Sequence, residues 1–320
     1  MTRLGYQIPN FTYPGKDPAA IFPTVVAQAK AAEAAGFDRV FVMDHFYQLP
    51  GIGDPDDPMF ECYTMLAALA QHTEHVGLSA LVTGNTYRNP AILAKTITTL
   101  DHVSGGRATL GIGAGWFELE HDAYGIPFNT FTERFEKLEE ALQIIVPMLN
   151  GERPTLNGTH YQVSEAINSP APLSKIPIMI GGSGEKKTLR MVAQYADESN
   201  LTGTADDIPR KLEALAGHCE ALGRNRDDIK VTKLVMGVCA PTMEEANASI
   251  DEFVALHGWP AEVADLYRVM GTVGDPDTFG EQIRAMIDAG IDGVTLNLCT
   301  VGHNPDMIAL TGECADAAIG

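Results

Sequence analysis

The sequence predicts a closed (β/α)8 barrel, a TIM barrel, formed by a single domain over residues 1–320. Short β-branched runs alternate with longer segments rich in Ala, Leu and Glu along the whole chain, which is typical of repeated βα units. Eight strand segments can be assigned, each with a helical partner, and chains of this length commonly close such units into one barrel. The alternative is an open, doubly wound sheet. It would need a dinucleotide-binding fingerprint or a break in strand order, and neither can be recognised in the sequence.

The first four units follow from hydrophobic periodicity and from residues that begin or end helices. Gly36 suits the C-terminal cap of the first helix, because a residue without Cβ adopts the left-handed conformation easily. Pro90 suits a first helical turn. The predicted strands are 4–8, 39–43, 76–82 and 108–113, and the predicted helices are 18–35, 60–72, 90–102 and 131–149.

The segment from about 151 to 174 interrupts this rhythm. It has three prolines and an Asn157-Gly158 turn between short β-prone flanks. We interpret it as an insertion after the fourth unit. The rhythm then resumes with predicted strands 176–180, 198–201, 231–238 and 293–298 and predicted helices 185–196, 206–222, 243–257, 261–270 and 276–289.

Charge and composition exclude several classes of function. With 22 basic and 42 acidic side chains, the formal net charge is −20, which disfavours nucleic acid and anionic membranes as partners. No apolar run has the length of a signal peptide or membrane span, so we expect a cytoplasmic protein. The five cysteines lack a C-x-x-C pair, and the sequence has no H-x-H, H-E-x-x-H or G-x-S-x-G motif. We therefore expect no metal site and no serine-hydrolase chemistry.

Two motifs at the ends of predicted strands are candidates for a ligand site. The Gly181-Gly182-Ser183-Gly184 turn separates a strand from a helix, so its backbone N–H groups and the helix dipole could hold a phosphate. Lys186 and Lys187 follow at once. The alternative is a glycine-rich connector followed by a solvated lysine pair.

Asp44 and His45 end the second strand, on the barrel face where βα loops build active sites. A histidine there can transfer protons near neutral pH. Alternatively, the aspartate caps a loop and the histidine only packs. The run from Gly111 to Trp116 fails the G-x-G-x-x-G pattern, since its sixth residue is Trp116. It is either a tight turn at the barrel top or a ligand contact, with Trp116 able to stack on a planar molecule.

These residues strongly resemble the luciferase-like monooxygenase superfamily, and within it the branch that uses the deazaflavin coenzyme F420. The resemblance covers nearly the whole chain. It rests on Gly36-Phe37-Asp38 with Met43-Asp44-His45, on residues 83–90 and 100–107, on residues 111–116 with Tyr124-Gly125-Ile126, and on Gly181-Gly182-Ser183-Gly184.

The resemblance implies a role for each candidate residue. The insertion would shape access of the substrate, and a non-proline cis peptide at Leu81-Val82 would press on the central ring of the cofactor. His45 would face the substrate as acid or base, and Asp44 beside it would be the second catalytic residue. Three groups of residues would contact the ring and the phosphate of the cofactor: Asp44 at the polar edge of the ring, Leu81, Val82, Thr83 and Trp116 at the ring system, and residues 181–184 at the phosphate. The acidic tail would be bound by Lys186, Lys187 and Arg88.

The resulting hypothesis is an F420-dependent oxidoreductase that transfers a hydride between the deazaflavin and a small organic substrate, which no motif identifies. One alternative is a monooxygenase of the same superfamily that uses reduced FMN and O₂. Another is a flavin-binding protein without catalysis. The family habit favours a homodimer. Because the coenzyme is itself polyanionic and the chain is acidic, its binding must depend on a locally basic, amide-rich corner around residues 181–187.

Overall fold

The computed structural model describes residues 3–320 and forms a barrel of parallel strands surrounded by helices. The strands are β1 (Leu4–Ile8), β2 (Arg39–Val42), β3 (Gly77–Ala80), β4 (Thr83–Gly84), β5 (Ala108–Gly113), β6 (Leu156–Asn157), β7 (Gln162–Val163), β8 (Ile178–Gly181), β9 (Glu198–Leu201), β10 (Lys230–Cys239), β11 (Thr272–Gly274) and β12 (Gly293–Asn297). Parallel pairings run through β1, β2, β3, β5, β8, β9, β10 and β12 and return to β1. The barrel is therefore closed, and the predicted fold class is confirmed.

The helices pack on the outside of this barrel and at its carboxyl-terminal end. They are α1 (Ile21–Ala34), α2 (Cys62–Ala70), α3 (Pro90–Ser104), α4 (Glu118–Tyr124), α5 (Phe131–Leu149), α6 (Thr188–Tyr195), α7 (Ile208–Leu222), α8 (Met243–His257), α9 (Val263–Met270), α10 (Pro276–Asp288) and α11 (Pro305–Ile319). Two predicted helix signals are confirmed: Gly36 follows α1 with a φ of 82°, and Pro90 lies in the first turn of α3. The Asn89 side chain also accepts hydrogen bonds at the start of α3. A Thr130–Glu133 capping box begins α5. Among residues 3–320, none of the helices combines the length with the apolar composition that a membrane span requires.

Three differences from the predicted elements bear on the site. The third strand ends at Ala80, and the chain resumes as β4 after a cis peptide between Leu81 and Val82. The helix expected from residue 185 begins at Thr188, because the polar residues before it have no apolar periodicity and form turns. The short helix α4 was not predicted, since seven residues are too few to display a helical period.

The segment after α5 folds as an antiparallel hairpin of β6 and β7 on the side of the barrel. Glu140 of α5 anchors its turn by accepting hydrogen bonds from the N–H groups of Thr159 (2.7 Å), His160 (2.9 Å) and Tyr161 (2.9 Å). Asn168 fixes the far end by donating to the Thr98 hydroxyl on α3 at 2.8 Å. The hairpin thereby reaches from α3 toward the carboxyl ends of the strands.

A second apolar cluster lies where α8 and α9 cover the end of β10. Phe253 and Tyr267 are at its centre, and it is separate from the main core of the barrel. The His257 Nδ1 atom lies 3.3 Å from the Asp57 carboxylate, and the Tyr267 hydroxyl donates to the Gly51 carbonyl. Helices α8 and α9 are therefore tied to the loop between β2 and α2, which begins just before the candidate residue His45.

Gly111 in β5 gives a direct test of close packing in the barrel. A Cβ at this position would lie 2.1 Å from the Ala80 carbonyl oxygen, which belongs to the backbone of β3 and cannot rotate away. We expect Gly111→Ala to lower the free energy of unfolding by about 1–3 kcal/mol, the range for overpacked cores. Urea unfolding followed by circular dichroism measures this change.

Gly217 in α7 supplies the matched control. A Cβ there would have no neighbour within 4 Å. Gly217→Ala should therefore stabilise the protein by up to about 1 kcal/mol, because alanine favours a helix over glycine. Equal midpoints for the two variants would contradict the packing described for Gly111.

Candidate active site

The candidate residues meet at the carboxyl end of the barrel. His45 follows β2, Val82 lies between β3 and β4, Trp116 follows β5, and Gly181 ends β8. Parallel strands in a barrel all end at the same face, so loops that are distant in sequence surround one mouth. The structure thus brings together the candidates that the sequence indicated.

His45 is held by Glu120, a residue that no sequence motif indicates. Its Nδ1 atom lies 2.6 Å from the Glu120 Oε1 atom. The other carboxylate oxygen, Oε2, accepts hydrogen bonds from the backbone N–H groups of Phe46 at 2.7 Å and Tyr47 at 3.3 Å. The Tyr87 hydroxyl also donates to Oε1. The side chain of Glu120 is 0% exposed, so this carboxylate is fixed inside the protein.

The surroundings of Glu120 favour its ionised form. Burial alone would raise the pKa of this carboxyl group, but the hydrogen bonds and charge of His45 and the bonds from Tyr87 and Phe46 N–H outweigh that effect. The pKa of Glu120 is consequently lower than its ordinary value. A negative charge is therefore maintained against the histidine ring.

Both carboxylate oxygens of Asp44 accept hydrogen bonds from other residues of the protein. Arg88 binds it with two hydrogen bonds, Nη1 to Oδ2 at 2.6 Å and Nη2 to Oδ1 at 2.9 Å, and Gly84 N–H donates to Oδ2 at 3.1 Å. Burial raises the pKa of Asp44 although the Arg88 guanidinium opposes this rise. Through these hydrogen bonds Asp44 fixes the loop after β4, while its catalytic role and its contact with the cofactor stay predictions.

Arg88 is not available to the acidic tail of a coenzyme, contrary to the suggestion from the sequence. Its guanidinium binds Asp44, donates to the Glu61 carboxylate at 2.8 Å, and lies 4.8 Å from the centre of the Tyr63 ring. These partners raise the pKa of Arg88 above its ordinary value. Its positive charge is compensated within the protein.

Val82 forms a ridge in the floor of the mouth. The peptide bond before it is cis, as the resemblance implied. A Cβ at Gly113 would lie 2.9 Å from Val82 Cγ2, and a Cβ at Gly181 would lie 2.7 Å from Val82 Cγ1. These two glycines therefore make room for the valine, a steric function that their motifs did not reveal. The next residue, Thr83, is buried with its hydroxyl 2.5 Å from the Tyr63 hydroxyl.

The turn after β8 presents a row of free backbone N–H groups. The Ser183 hydroxyl donates to the Thr202 carbonyl at 2.7 Å and accepts from Thr202 N–H, while Gly182 has a φ of 114°. Within residues 3–320, the N–H groups of residues 183–187 make no hydrogen bond. Such a turn suits an anion.

The charges around this turn are locally positive. Lys186 is exposed, and the Lys187 ammonium lies over the rings of Phe131 and Phe135, at 5.3 and 5.5 Å from their centres. The acidic Glu185 is paired with Arg210, which offsets part of its repulsion toward an anion. The corner that the sequence predicted around residues 181–187 therefore exists as an amide-rich, basic surface.

An aromatic wall flanks His45. Trp116 is 60% exposed and stacks on Phe117 with ring centres 5.2 Å apart. The His45 ring meets both edge-on, with ring centres 5.8 and 5.9 Å apart.

Across the mouth lies the buried Asn85. Its Nδ2 atom is 3.5 Å from the Tyr161 hydroxyl of the hairpin, and its Oδ1 atom has no partner in the described structure. The mouth thus combines flat apolar surface with a few unsatisfied polar atoms, as small-molecule sites do.

Comparison with known proteins agrees with this architecture. A family model described as luciferase-like monooxygenase matches residues 2–293. A protein of Microbacterium testaceum named F420-dependent glucose-6-phosphate dehydrogenase is 35% identical over 202 residues, which cover 62% of this chain and 59% of the relative. One of the same name from Nakamurella multipartita is 29% identical over 309 residues, 89% of each chain. The chain spans about three fifths of the length of the first of these relatives.

Solved structures share the fold at lower identity. An F420-dependent secondary alcohol dehydrogenase, solved with an F420-acetone adduct, has a TM-score of 0.80 and 19% identity over 100% of this chain and 99% of its own. The monooxygenase RslO1 from Streptomyces bottropensis has a TM-score of 0.81 and 16% identity over 99% of this chain and 100% of its own. At these identities the similarity supports the barrel alone.

Proposed function

The chain belongs to the luciferase-like monooxygenase family, and on that premise we propose that it is an F420-dependent oxidoreductase acting on a small organic substrate. The observation that carries the proposal is the convergence of the free N–H groups of residues 183–187, the Val82 ridge and the Glu120-bound His45 at one mouth. Sequence relatives named as F420-dependent dehydrogenases support this choice of cofactor over FMN.

The residues at the mouth fit the deazaflavin coenzyme. The N–H groups of residues 183–187, with Lys186 and Lys187, would hold its phosphate and acidic tail. Val82 would support the ring system, with Leu81 and Thr83 beside it, and Asn85 offers its unpaired oxygen to a polar edge. Bound there, the deazaflavin supplies the carbon that gives or accepts a hydride. With a net charge of −20, the protein would bind it through these local contacts and not by long-range attraction.

The proposed substrate is an uncharged alcohol or ketone. His45, the residue proposed to exchange a proton with it, contacts Trp116, Phe117 and Glu120. These side chains are aromatic or acidic, and the nearby Arg88 has its charge compensated by Asp44 and Glu61. A phosphorylated sugar would meet negative charge here.

Anaerobic turnover with F420 tests the proposal. We expect oxidised F420 to lose its absorbance with at least one member of a panel of secondary alcohols, and at a higher rate than with glucose 6-phosphate. Turnover that instead requires reduced FMN and O₂ would overturn it in favour of a monooxygenase. Coenzyme binding without turnover, either with F420 or with reduced FMN and O₂, would indicate a binding protein. We also propose a cytoplasmic homodimer, whose mass light scattering would measure.

A further inference from the structure

The hydrogen bonds around Glu120 bear on the position of His45 and also on which nitrogen of its ring carries the proton. We propose that Glu120 is a positioning residue that, whenever the His45 ring is in its neutral form, holds the ring proton on Nδ1, which leaves the Nε2 lone pair to take a proton from a substrate hydroxyl. The tautomer follows from the contacts and the negative charge of Glu120, whereas its use on a substrate rests on the proposed function.

The carboxylate can only accept at each of its contacts. Phe46 and Tyr47 N–H groups occupy Oε2 and have no other role than donor. The Tyr87 hydroxyl and the His45 Nδ1 atom share Oε1. Because the buried carboxyl group is favoured as the anion, it carries no proton to give to the ring. The 2.6 Å contact therefore requires the proton to be on Nδ1.

The second ring nitrogen is left for a ligand. Within residues 3–320, Nε2 of His45 makes no hydrogen bond, and the side chain is 12% exposed. Trp116 and Phe117 meet the ring edge-on and restrict its rotation. A neutral imidazole fixed in this way presents an acceptor to the mouth instead of an N–H donor.

This arrangement matches the oxidation of an alcohol. The substrate O–H bond would break and its proton would go to Nε2, while the C=O bond forms and a hydride leaves the carbinol carbon. That hydride, with its two electrons, would pass to the oxidised deazaflavin that the site is proposed to hold, and His45 would keep the proton. Glu120 stabilises the resulting imidazolium without taking its proton. In the reverse direction, the imidazolium returns the proton to a ketone oxygen.

Glu120→Gln is expected to invert the tautomer. The Phe46 and Tyr47 N–H groups still need an acceptor, so the amide oxygen of the glutamine should take the Oε2 position. Its NH₂ group then faces Nδ1, which must accept, and the ring proton moves to Nε2. Alcohol oxidation should fall by about 10²–10⁴-fold, the usual contribution of a general base, with little change in the affinity for F420.

Nitrogen-15 NMR of histidine-labelled protein measures the tautomer without coenzyme or substrate. The His45 signals are identified by their loss in His45→Asn. We expect protonated Nδ1 and unprotonated Nε2 in the wild type at a pH where His45 is neutral, and the reverse in Glu120→Gln. Glu118→Gln is the matched control, because Glu118 lies on the same helix but is exposed; it should retain the wild-type tautomer and rate.

A wild-type His45 with its proton on Nε2, or a Glu120→Gln variant with the wild-type tautomer, would overturn the proposal. The wild-type measurement decides even where the variant does not fold. The expected tautomer together with absence of F420 turnover would instead refute the proposed function and leave the role of Glu120 standing.

Discussion

Replacement of His45 by alanine is expected to lower F420-dependent turnover by about 10²–10⁴-fold. The reason is that the side chain lies at the mouth with one nitrogen fixed by Glu120 and the other without a partner in the described structure. The affinity for F420 should change little, because the N–H groups proposed to hold its phosphate are on the distant turn of residues 183–187. Steady-state kinetics and a coenzyme titration separate the two effects.

His45→Asn is the control for stability. The alanine variant leaves the buried Glu120 without the imidazole, whereas the asparagine amide can still donate to the carboxylate. Both variants should lose turnover, but His45→Asn should unfold closer to the wild-type midpoint. Wild-type turnover in either variant would exclude His45 as the acid or base.

Replacement of Arg88 by leucine should produce the largest loss of stability, about 3–5 kcal/mol, as expected when a buried charge loses its partner. Asp44 has a side chain that is 1% exposed, and Arg88 supplies both of its charged hydrogen bonds. Without the guanidinium, Asp44 must remain ionised without compensation or take up a proton. Urea unfolding measures the difference.

Arg210→Leu provides the matched comparison. Arg210 pairs with Glu185, but these side chains are 59% and 34% exposed, so water already screens the interaction. Its loss should change the free energy of unfolding by less than about 1 kcal/mol. The double variant Asp44→Asn, Arg88→Leu should recover part of the loss, because no buried charge remains. Equal losses of unfolding free energy for the two arginine substitutions would show that Arg88 does not compensate a buried charge on Asp44.

The barrel itself could be predicted because its signal is periodic. Strands such as β5 and β9 and the helices α5 and α8 coincide with the predicted ranges, since apolar spacing specifies which side of each element is buried. The start of α6 was placed three residues early, because the polar turn before Thr188 has no such spacing.

The sequence predicted where the site residues lie on the barrel, but it did not predict which of them are in contact. His45 could be proposed because it ends a strand at the catalytic face of a barrel. Glu120 could not, since it lies in an acidic seven-residue helix that resembles a solvated surface, and only the fold brings it to a histidine 75 positions earlier. Gly113 and Gly181 were recognised as parts of motifs, but their contact with Val82 depends on a backbone conformation that sequence alone does not specify.

Arg88 illustrates a related difficulty. A basic side chain in a loop at the mouth suggests a contact with an anionic ligand, and the sequence does not reveal that Asp44 and Glu61 fold against it. Other cations of this acidic chain, such as Arg39, Arg190 and Arg268, are likewise paired with carboxylates. Lys186 and Lys187 adjoin the open amides after β8, and neither forms an ion pair within residues 3–320.

Parallel equilibrium titrations of the purified protein with F420 and with FMN test most directly whether this mouth binds the deazaflavin coenzyme. We expect F420 to bind more tightly than FMN, and substitution of Lys186 and Lys187 by glutamine to weaken the binding of F420. Preferential binding of FMN would show that the mouth does not select the deazaflavin.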